Sequence, residues 1–260
     1  MNRYFLEIAY KGTNYVGWQV QPNGISVQQK IDEALQTILR EDIHCVGCGR
    51  TDSGVHASQF FLHFDLSIET SAKLEAKEYP IFQKDFLMRI NNFLPYDIAV
   101  KRIIPVHSTA HARFDATLRV YEYFMSKKKD PFKKDFYVER PHHELDFDLM
   151  QQACAIIKKY NDFPGFCKSK QGSKTTIVNI KECYWRIENN DEWIFYISAN
   201  RFLRGMVRLI VGAMIQIGKH KMTLEEFDEG IKKGERFKYA LSAPAHGLFL
   251  IKVEYPYITI

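Results

Sequence analysis

Residues 175–218 read TTIVNIKECYWRIENNDEWIFYISANRFLRGMVRLIVGAMIQIG. Their composition changes from strand-like before residue 201 to helix-like after it. Residues 175–187 and 192–200 predict two long strands. Residues 202–218 carry apolar side chains in nearly every direction around a helix axis, which predicts a buried helix. Strands followed by a helix at this interval favour an α+β architecture in which a sheet is covered on one face.

The rest of the chain follows the same scheme. Residues 3–10 predict a strand of imperfect alternation that is rich in β-formers. Ser26 and Gln29 match a capping box, and an amphipathic helix follows them. The other predicted elements are a strand at 59–66, a helix at 82–94 ended by Pro95, a strand at 97–106, a strand at 118–128, a helix at about 146–160 and a final strand at 247–255.

We therefore predict an α+β protein of two halves, residues 1–105 and residues 106–260. The halves share an order of elements but no repeated sequence. Sheets covered on one face leave the other face open, and RNA usually lies on such a face in folds of this kind.

Composition supports a globular protein with a basic second half. The 260 residues are 46% hydrophobic and 26% charged, with a net charge of +5. Residues 1–104 hold 11 Lys/Arg and 12 Asp/Glu, and the remainder holds 25 and 19. Lysines at 127–129, 133 and 134, and Lys168, Lys170 and Lys174 in the polar loop 168–176, suit phosphate contacts. Such runs are more often solvated surfaces.

Targeting and cysteine patterns point to a cytoplasmic protein. The N-terminus lacks the pattern of a secretion signal, and no apolar run reaches the ~18 residues that a membrane span needs. The five cysteines are odd in number and scattered, so we expect reduced thiols. Cys45 and Cys48 match C-x-x-C, but a second ligand pair is missing, so packing is favoured over metal or redox use. A thiol-based enzyme would depend on Cys48.

The segment GRTDSGVHA, residues 49–57, places a cation, a carboxylate and an imidazole among glycines just before a strand. Glycines at 47, 49 and 54 allow tight turning, which suits a loop that presents the side chain of Asp52 beside Arg50. The alternative is a structural aspartate whose carboxylate accepts local backbone amides.

Arg208 lies within the predicted buried helix with no acidic residue three or four positions away. A buried guanidinium needs a distant carboxylate, a phosphate or water. Asp52 is the candidate partner, whereas Arg204, one turn earlier, can extend outward. A carboxylate held by an arginine stays ionised and fixed in direction, which suits a nucleophile better than a general acid.

The strand at 119–123 alternates so that Arg119, Tyr121 and Tyr123 share one face. Aligned tyrosines offer a stacking surface for an unstacked base. Tyrosines at this spacing are also common in protein cores.

Five separated motifs resemble those of the TruA-type tRNA pseudouridine synthases. They are GRTDSGVHA at 49–57, AHARFDA at 110–116, RVYEY at 119–123, FLRGMVRLIVG at 202–212 and HGLFL at 246–250. The resemblance follows the family's order along nearly the whole chain. This chain has Ser53 where the family usually has alanine and Ala110 where it commonly has phenylalanine, and neither change removes a reacting group.

The resemblance implies that Asp52 is the catalytic aspartate and that Tyr121 packs on the target uridine. It assigns Arg50 and Arg208 as basic companions and Leu248 to the pocket lining. It also implies isomerisation of uridine to pseudouridine in the anticodon stem-loop of tRNA, at positions 38, 39 and 40, by a homodimer without cofactor or metal. The implied fold has two α+β halves that share a central, mainly antiparallel sheet, with the active-site cleft between them.

The sequence leaves the chemical route open. Asp52 can attack C1′ or C6 or assist loss of a proton from the sugar, and the hydroxyl of Tyr121 can act as a base if its acidity is raised. A paired uridine must leave the stem to react, so Arg50 can fill the vacated space or hold a phosphate. The alternative function is a non-catalytic RNA-binding protein of the same fold.

Overall fold

A computed structural model of the chain describes residues 1–75, 79–139, 144–167, 175–237 and 242–258. Two compact units make up the chain: Met1–Thr117 with Leu250–Ile260, and Leu118–Phe249. Both units contain helices and mainly antiparallel strands, which confirms the predicted α+β class. The two units divide after Thr117, whose amide donates to Glu254 O (2.9 Å) in the first unit. The boundary near residue 105 stays a prediction from the sequence.

The first unit is built around a sheet with the strand order β4-β1-β3-β9, in which β2 also pairs with β3. The strand β1 runs antiparallel to both β3 and β4. The elements are β1 (Asn2–Tyr10), α1 (Val27–Leu39), β2 (Val46–Gly47), β3 (His56–Leu66), α2 (Ile68–Glu75), α3 (Tyr79–Phe93), β4 (Ile98–Val106) and β9 (Leu248–Glu254). The first two residues of β9 belong to the second unit.

The sheet of the first unit has two different faces, which we name the apolar face and the loop-covered face. The segment that leads into α1 packs on the apolar face, where the rings of Trp18 and Phe60 lie 4.3 Å apart. The apolar face consists of Tyr4, Leu6, Ile8, Phe60, Leu62 and Phe64, all at most 2% exposed. The loop-covered face consists of Arg3, Phe5, Glu7, Gln59, Phe61, His63 and Asp65.

Because side chains alternate along a strand, a single strand supplies both faces. Residues of both faces of β1 are buried, which explains why the alternation of residues 3–10 was imperfect. Segments without a helix or strand cover the second face: Tyr255 contacts Phe5 and Phe61 edge to face, and His111 contacts His63.

The second unit has the strand order β5-β8-β7, with antiparallel pairs, and β6 pairs in parallel with β5. The helix α4 packs on β7 and on α5 and α6. The elements are β5 (Leu118–Ser126), β6 (Val138–Glu139), α4 (Phe147–Ile157), β7 (Ile180–Glu188), β8 (Glu192–Ala199), α5 (Met206–Gly218) and α6 (Leu224–Lys233).

The predicted buried helix is α5. It begins after Gly205, whose φ is +70°, and its buried positions surround the axis. The strand predicted from residue 175 begins later, at Ile180, because residues 176–178 pair with a different segment: Phe163 N donates to Thr176 O and Val178 N donates to Asn161 O. Every helix in the described ranges is too short or too polar to cross a membrane.

The capping pattern in the sequence predicted the start of α1 correctly, but two other helices were not predicted. Ser26 caps α1 by accepting the amide of Gln29, but the side chain of Gln29 donates to Glu33. The helices α2 and α6 were not predicted from the sequence. The start of α6 carries a complete capping box, in which Thr223 and Glu226 each accept the other's backbone amide.

Candidate active site

Asp52 lies in the turn between β2 and β3, and its side chain is partly exposed. The main-chain carbonyl of Asp52 accepts the amide of Val55 (3.1 Å), which closes the turn. Gly54 has φ of +78°, a conformation that favours glycine, so the turn needs this residue. Arg50 is exposed in the same turn. The structure therefore keeps Asp52 and Arg50 together at the surface of the first unit.

A second segment holds this turn from behind. We call residues 11–18 the strap. The carbonyl oxygen of Tyr15 accepts the amide of Gly54 (3.3 Å) and the hydroxyl of Ser53 (3.2 Å). Trp18 donates its amide to Thr51 O at 3.4 Å. The residues immediately before and after Asp52 are thus bonded to the strap.

The strap also reaches the strand that follows the turn. The amide of Gly12 donates to Nδ1 of His56 (2.9 Å), which is 1% exposed. Directly before the strap, the hydroxyl of Tyr10 at the end of β1 lies 2.9 Å from the hydroxyl of Thr51 in the turn. A Cβ on Gly17, whose φ is +105°, would lie 2.3 Å from Thr51 O, so strap and turn touch through backbone atoms.

Asp97, the residue directly before β4, accepts hydrogen bonds from three residues of the strap. Its carboxylate accepts the phenol of Tyr15 and the side-chain amide of Asn14, and its carbonyl accepts the amide of Lys11 at 2.8 Å. Burial and the bond to Asp97 raise the pKa of Tyr15, so the phenol keeps its proton at neutral pH. Asp97 and the strap were not predicted as parts of the site, because neither shows a local motif that ties it to residues 49–57.

Tyr121 lies in β5 of the second unit and is partly buried. Its ring packs edge to face on Phe202, with ring centroids 5.2 Å apart. Tyr123, on the same face, is fully buried and donates its hydroxyl to Pro244 O (3.0 Å). The two tyrosines therefore differ: Tyr123 is a core residue, whereas Tyr121 keeps part of its ring accessible.

Arg208 lies in the first turn of α5 and is partly buried. Its Nε donates to Ala243 O (2.6 Å), and the amide of Ala243 donates to Arg208 O (3.0 Å). Arg204 is exposed, as predicted. Arg208 is thereby held against the segment that leads into β9.

The same segment positions Leu248, which is 5% exposed at the start of β9. A Cβ on the preceding Gly247 would lie 3.0 Å from both Phe124 O and the ring of Tyr123, so the backbone approaches β5 closely. Arg208, Tyr123 and Leu248, which are distant in sequence, therefore come together through residues 243–247. Asp52 and Arg50 belong to the first unit, and Tyr121, Arg208 and Leu248 belong to the second.

The two lysine clusters that suit phosphate contacts differ in what the structure shows of them. Lys168 and Lys170 lie outside the described residues. In the other cluster, Lys128 pairs with Asp191, Lys133 pairs with Glu192, and Lys127 lies over the ring of Trp193. Several lysines of this cluster are therefore already engaged within the protein.

All five cysteines lie in the described part of the chain, where they are buried and form no disulfide. Cys45 and Cys48 are 2% and 1% exposed. Burial raises the pKa of Cys45 well above its ordinary value, which disfavours a reactive thiolate. Among the described residues, no cluster of His, Cys, Asp and Glu side chains is arranged to hold a metal ion.

Comparison with known proteins gives consistent results. A family described as tRNA pseudouridine synthase matches residues 160–256. A protein named tRNA pseudouridine synthase A from Parabacteroides distasonis is 44% identical over 98% of this chain and 97% of its own length. Its namesake from Bacteroides fragilis is 43% identical over 98% and 97%, respectively. The one from Caldicellulosiruptor bescii is 34% identical over 98% and 100%.

Proposed function

The chain belongs to the tRNA pseudouridine synthase family, and we propose that Asp52 is the group that reacts with the target uridine. The protein is an isomerase that converts uridine in tRNA to pseudouridine. In this reaction the N1–C1′ bond breaks, the base rotates, and a C5–C1′ bond forms. The proton on C5 is lost and N1 gains one, so atoms and electrons balance without an external oxidant or reductant.

One observation supports Asp52 most directly: its turn is fixed from behind while its side chain remains partly exposed. The strap bonds Thr51, Ser53 and Gly54, the neighbours of Asp52 on both sides. A nucleophile gains from such preorganisation, because the reacting atoms must be held near contact distance in one direction. A carboxylate that served only as a turn cap would not need a second segment to position it.

The other site residues have supporting roles in the proposal. Tyr121 stacks on the extruded uracil, because a partly accessible ring beside Phe202 offers a face for a base. Arg208 is the basic companion of Asp52 and stabilises negative charge during the reaction. Leu248 lines the pocket, and Arg50 holds the RNA where the uridine leaves the stem.

The proposal extends to substrate and assembly through the resemblance of the sequence motifs. The targets are uridines 38, 39 and 40 of the anticodon stem-loop, with Lys168 and Lys170 contacting phosphates. The protein acts as a cytoplasmic homodimer that needs no cofactor or metal. Pseudouridine mapping of tRNA before and after incubation tests the positions, and light scattering in solution tests the dimer.

An Asp52→Asn variant tests the central assignment. We expect no measurable pseudouridine and tRNA affinity within a few-fold of the original, because the amide keeps the shape but loses the nucleophilic anion. Asp42→Asn is the matched control, since this carboxylate is 85% exposed in the same unit. Residual turnover by Asp52→Asn at a substantial fraction of the original rate would show that another group reacts.

A further inference from the structure

The motif AHARFDA, residues 110–116, forms a turn on the loop-covered face of the first unit and has no role in the function proposed above. Ala110 and Ala112 are completely buried, whereas Arg113 and Phe114 project outward. The Phe114 side chain is 73% exposed. A single exposed ring is common on protein surfaces, so the case for a contact here depends on the groups that hold and surround this ring.

Side chains of the first unit bond the backbone of this turn. Arg3 donates to Ala110 O (2.7 Å) while it also forms two hydrogen bonds with Asp65. The phenol of Tyr255 donates to Ala112 O at 2.6 Å. Ala112 also donates its amide to Nδ1 of His63 (3.1 Å). These contacts fix the backbone immediately before Arg113, so Arg113 and Phe114 leave a part of the turn that is held in place.

The turn is also closed by its own residues. The amide of His111 donates to the carboxylate of Asp115 (2.7 Å), and the amide of Asp115 donates to His111 O (3.0 Å). Nδ1 of His111 accepts the amide of Arg113 at 3.1 Å. A ring carried by such a turn loses little conformational freedom when it binds a partner.

The exposed side chains form an aromatic surface with positive charge. The guanidinium carbon of Arg113 lies 5.6 Å from the centroid of the Phe114 ring, within cation–π range. The ring of His111 lies 4.3 Å from the ring of Phe114. Aromatic rings combined with guanidinium groups are the common means by which proteins bind unpaired nucleobases.

The carboxylates near this surface are already engaged. Asp65 forms a bidentate pair with Arg3, and Asp115 accepts the hydroxyl of Tyr257 (2.8 Å) as well as the amide of His111. Their negative charge is therefore partly compensated within the protein. A polyanion that approaches Arg113 meets a surface of complementary charge.

We propose that Arg113 and Phe114 form a second RNA contact, in which the ring of Phe114 stacks on an unpaired base of the tRNA and Arg113 contacts a neighbouring phosphate. This contact rests on the proposed function for its ligand, but its role is binding and not chemistry. It lies at the surface of the segments that cover the loop-covered face, where Arg113 and Phe114 are exposed.

Replacing Phe114 by alanine tests the contact. We expect the Kd and KM for an unmodified tRNA transcript to rise about tenfold, the usual order for loss of one base–aromatic stack, with kcat unchanged within about twofold. Phe114→Trp should bind at least as tightly as the original. Because the ring is exposed, the thermal midpoint should stay unchanged in both variants.

Phe93→Ala is the matched control, because Phe93 is an exposed phenylalanine at the end of α3 in the same unit (49% exposed). It should leave Kd and KM for tRNA unchanged. An equal loss of affinity in both variants would show a general effect of surface apolarity and would overturn the proposal.

A fluorescence measurement with Phe114→Trp provides an independent readout. The three native tryptophans, Trp18, Trp185 and Trp193, are at most 4% exposed, so an added exposed indole emits at longer wavelength. Stacking on a base should quench this emission as tRNA is added, whereas Phe93→Trp should show no quenching.

The outcomes separate this contact from the function itself. If the original protein forms pseudouridine in tRNA but Phe114→Ala retains the original Kd and KM, the contact is wrong and the function stands. If the original protein forms no pseudouridine, the function fails, while tRNA titrations of the Phe114 variants still test the contact. A change in oligomeric state with unchanged tRNA binding would identify the surface as a protein interface and overturn the proposal.

Discussion

The carbonyl oxygen of Tyr15 accepts the backbone amide of Gly54 at 3.3 Å, two residues after Asp52. The phenol of the same tyrosine donates to Asp97. Tyr15 therefore joins the turn that carries Asp52, the proposed reactive carboxylate, to the start of β4. If Asp52 reacts with the uridine as proposed, Asp97 and Tyr15 are positioning residues that act through it.

Tyr15→Phe should lower kcat about tenfold and leave the KM for tRNA unchanged, because losing one hydrogen bond to a charged group loosens the turn without touching the RNA. Tyr160→Phe is the matched control, since Tyr160 also donates to a carboxylate, that of Asp228, in the other unit. Asp97→Asn should retain more activity than Asp97→Ala, because the amide oxygen still accepts the phenol. Equal losses in kcat and in tRNA affinity would argue for general unfolding.

Gly17→Ala should nearly abolish activity and lower the thermal midpoint. The new Cβ would lie 2.3 Å from Thr51 O, and φ of +105° strains any residue with a side chain. A strained backbone position costs on the order of 1–3 kcal/mol, and relief requires the turn to move. Gly49→Ala is the control, because a Cβ there meets nothing within 4 Å. Normal kcat in Gly17→Ala would contradict the strap's role in holding Asp52.

Arg208→Lys should lower kcat about 100-fold, the order found when one donor that stabilises transition-state charge is removed. A lysine cannot both reach Ala243 O and present the planar set of donors of a guanidinium. Arg204→Lys, on the exposed preceding turn, should be neutral. The measurement is single-turnover pseudouridine formation at saturating enzyme. An active Arg208→Lys variant would restrict the residue to a structural role.

Arg50→Ala should weaken turnover more on a tRNA with a stable anticodon stem than on one whose stem is loosened by a mismatch. Unstacking and unpairing a nucleotide costs a few kcal/mol in a stable stem and less in a loosened one, so help from an exposed arginine matters most in the stable one. The ratio of kcat/KM for the two transcripts gives the answer. Equal losses on both would count against this role.

The stability of the protein should fall as pH decreases from about 6.5 to about 4, partly because of His63. Burial, and then the charges of Arg3 and His111, lower the pKa of His63 to about 4, and its Nδ1 accepts the amide of Ala112. The unfolded chain therefore binds a proton at higher pH than the folded chain, so acidification favours unfolding. The loss should be about 2 to 3 kcal/mol over this range.

Urea unfolding at several pH values measures this effect. In His63→Asn, an amide oxygen replaces the acceptor nitrogen and does not titrate, so the variant should lose less stability than the original between pH 6.5 and 4. Identical pH profiles would show that His63 does not contribute.

Signals contained within a few residues predicted much of the fold. The Ser26 cap placed the start of α1, and the apolar residues around Arg208 predicted the buried helix α5. Predictions failed where several local patterns competed. Residues 175–179 have strand composition, yet they pair in part with residues 161–163, because pairing partners depend on the fold of the whole unit and not on propensity.

The sequence alone also identified the candidate site residues: a carboxylate in a glycine-rich turn at Asp52, an arginine in a predicted buried helix and two tyrosines on one face of a strand. Only the tertiary structure decided that Tyr121 is partly accessible while Tyr123 is buried, and which residues hold each candidate in place. The bond from Tyr15 to Asp97 spans 82 positions, and the one from Ser53 to Tyr15 spans 38. Hydrogen bonds over such separations leave no periodicity or spacing to detect, because they form only after the strands have brought distant segments together.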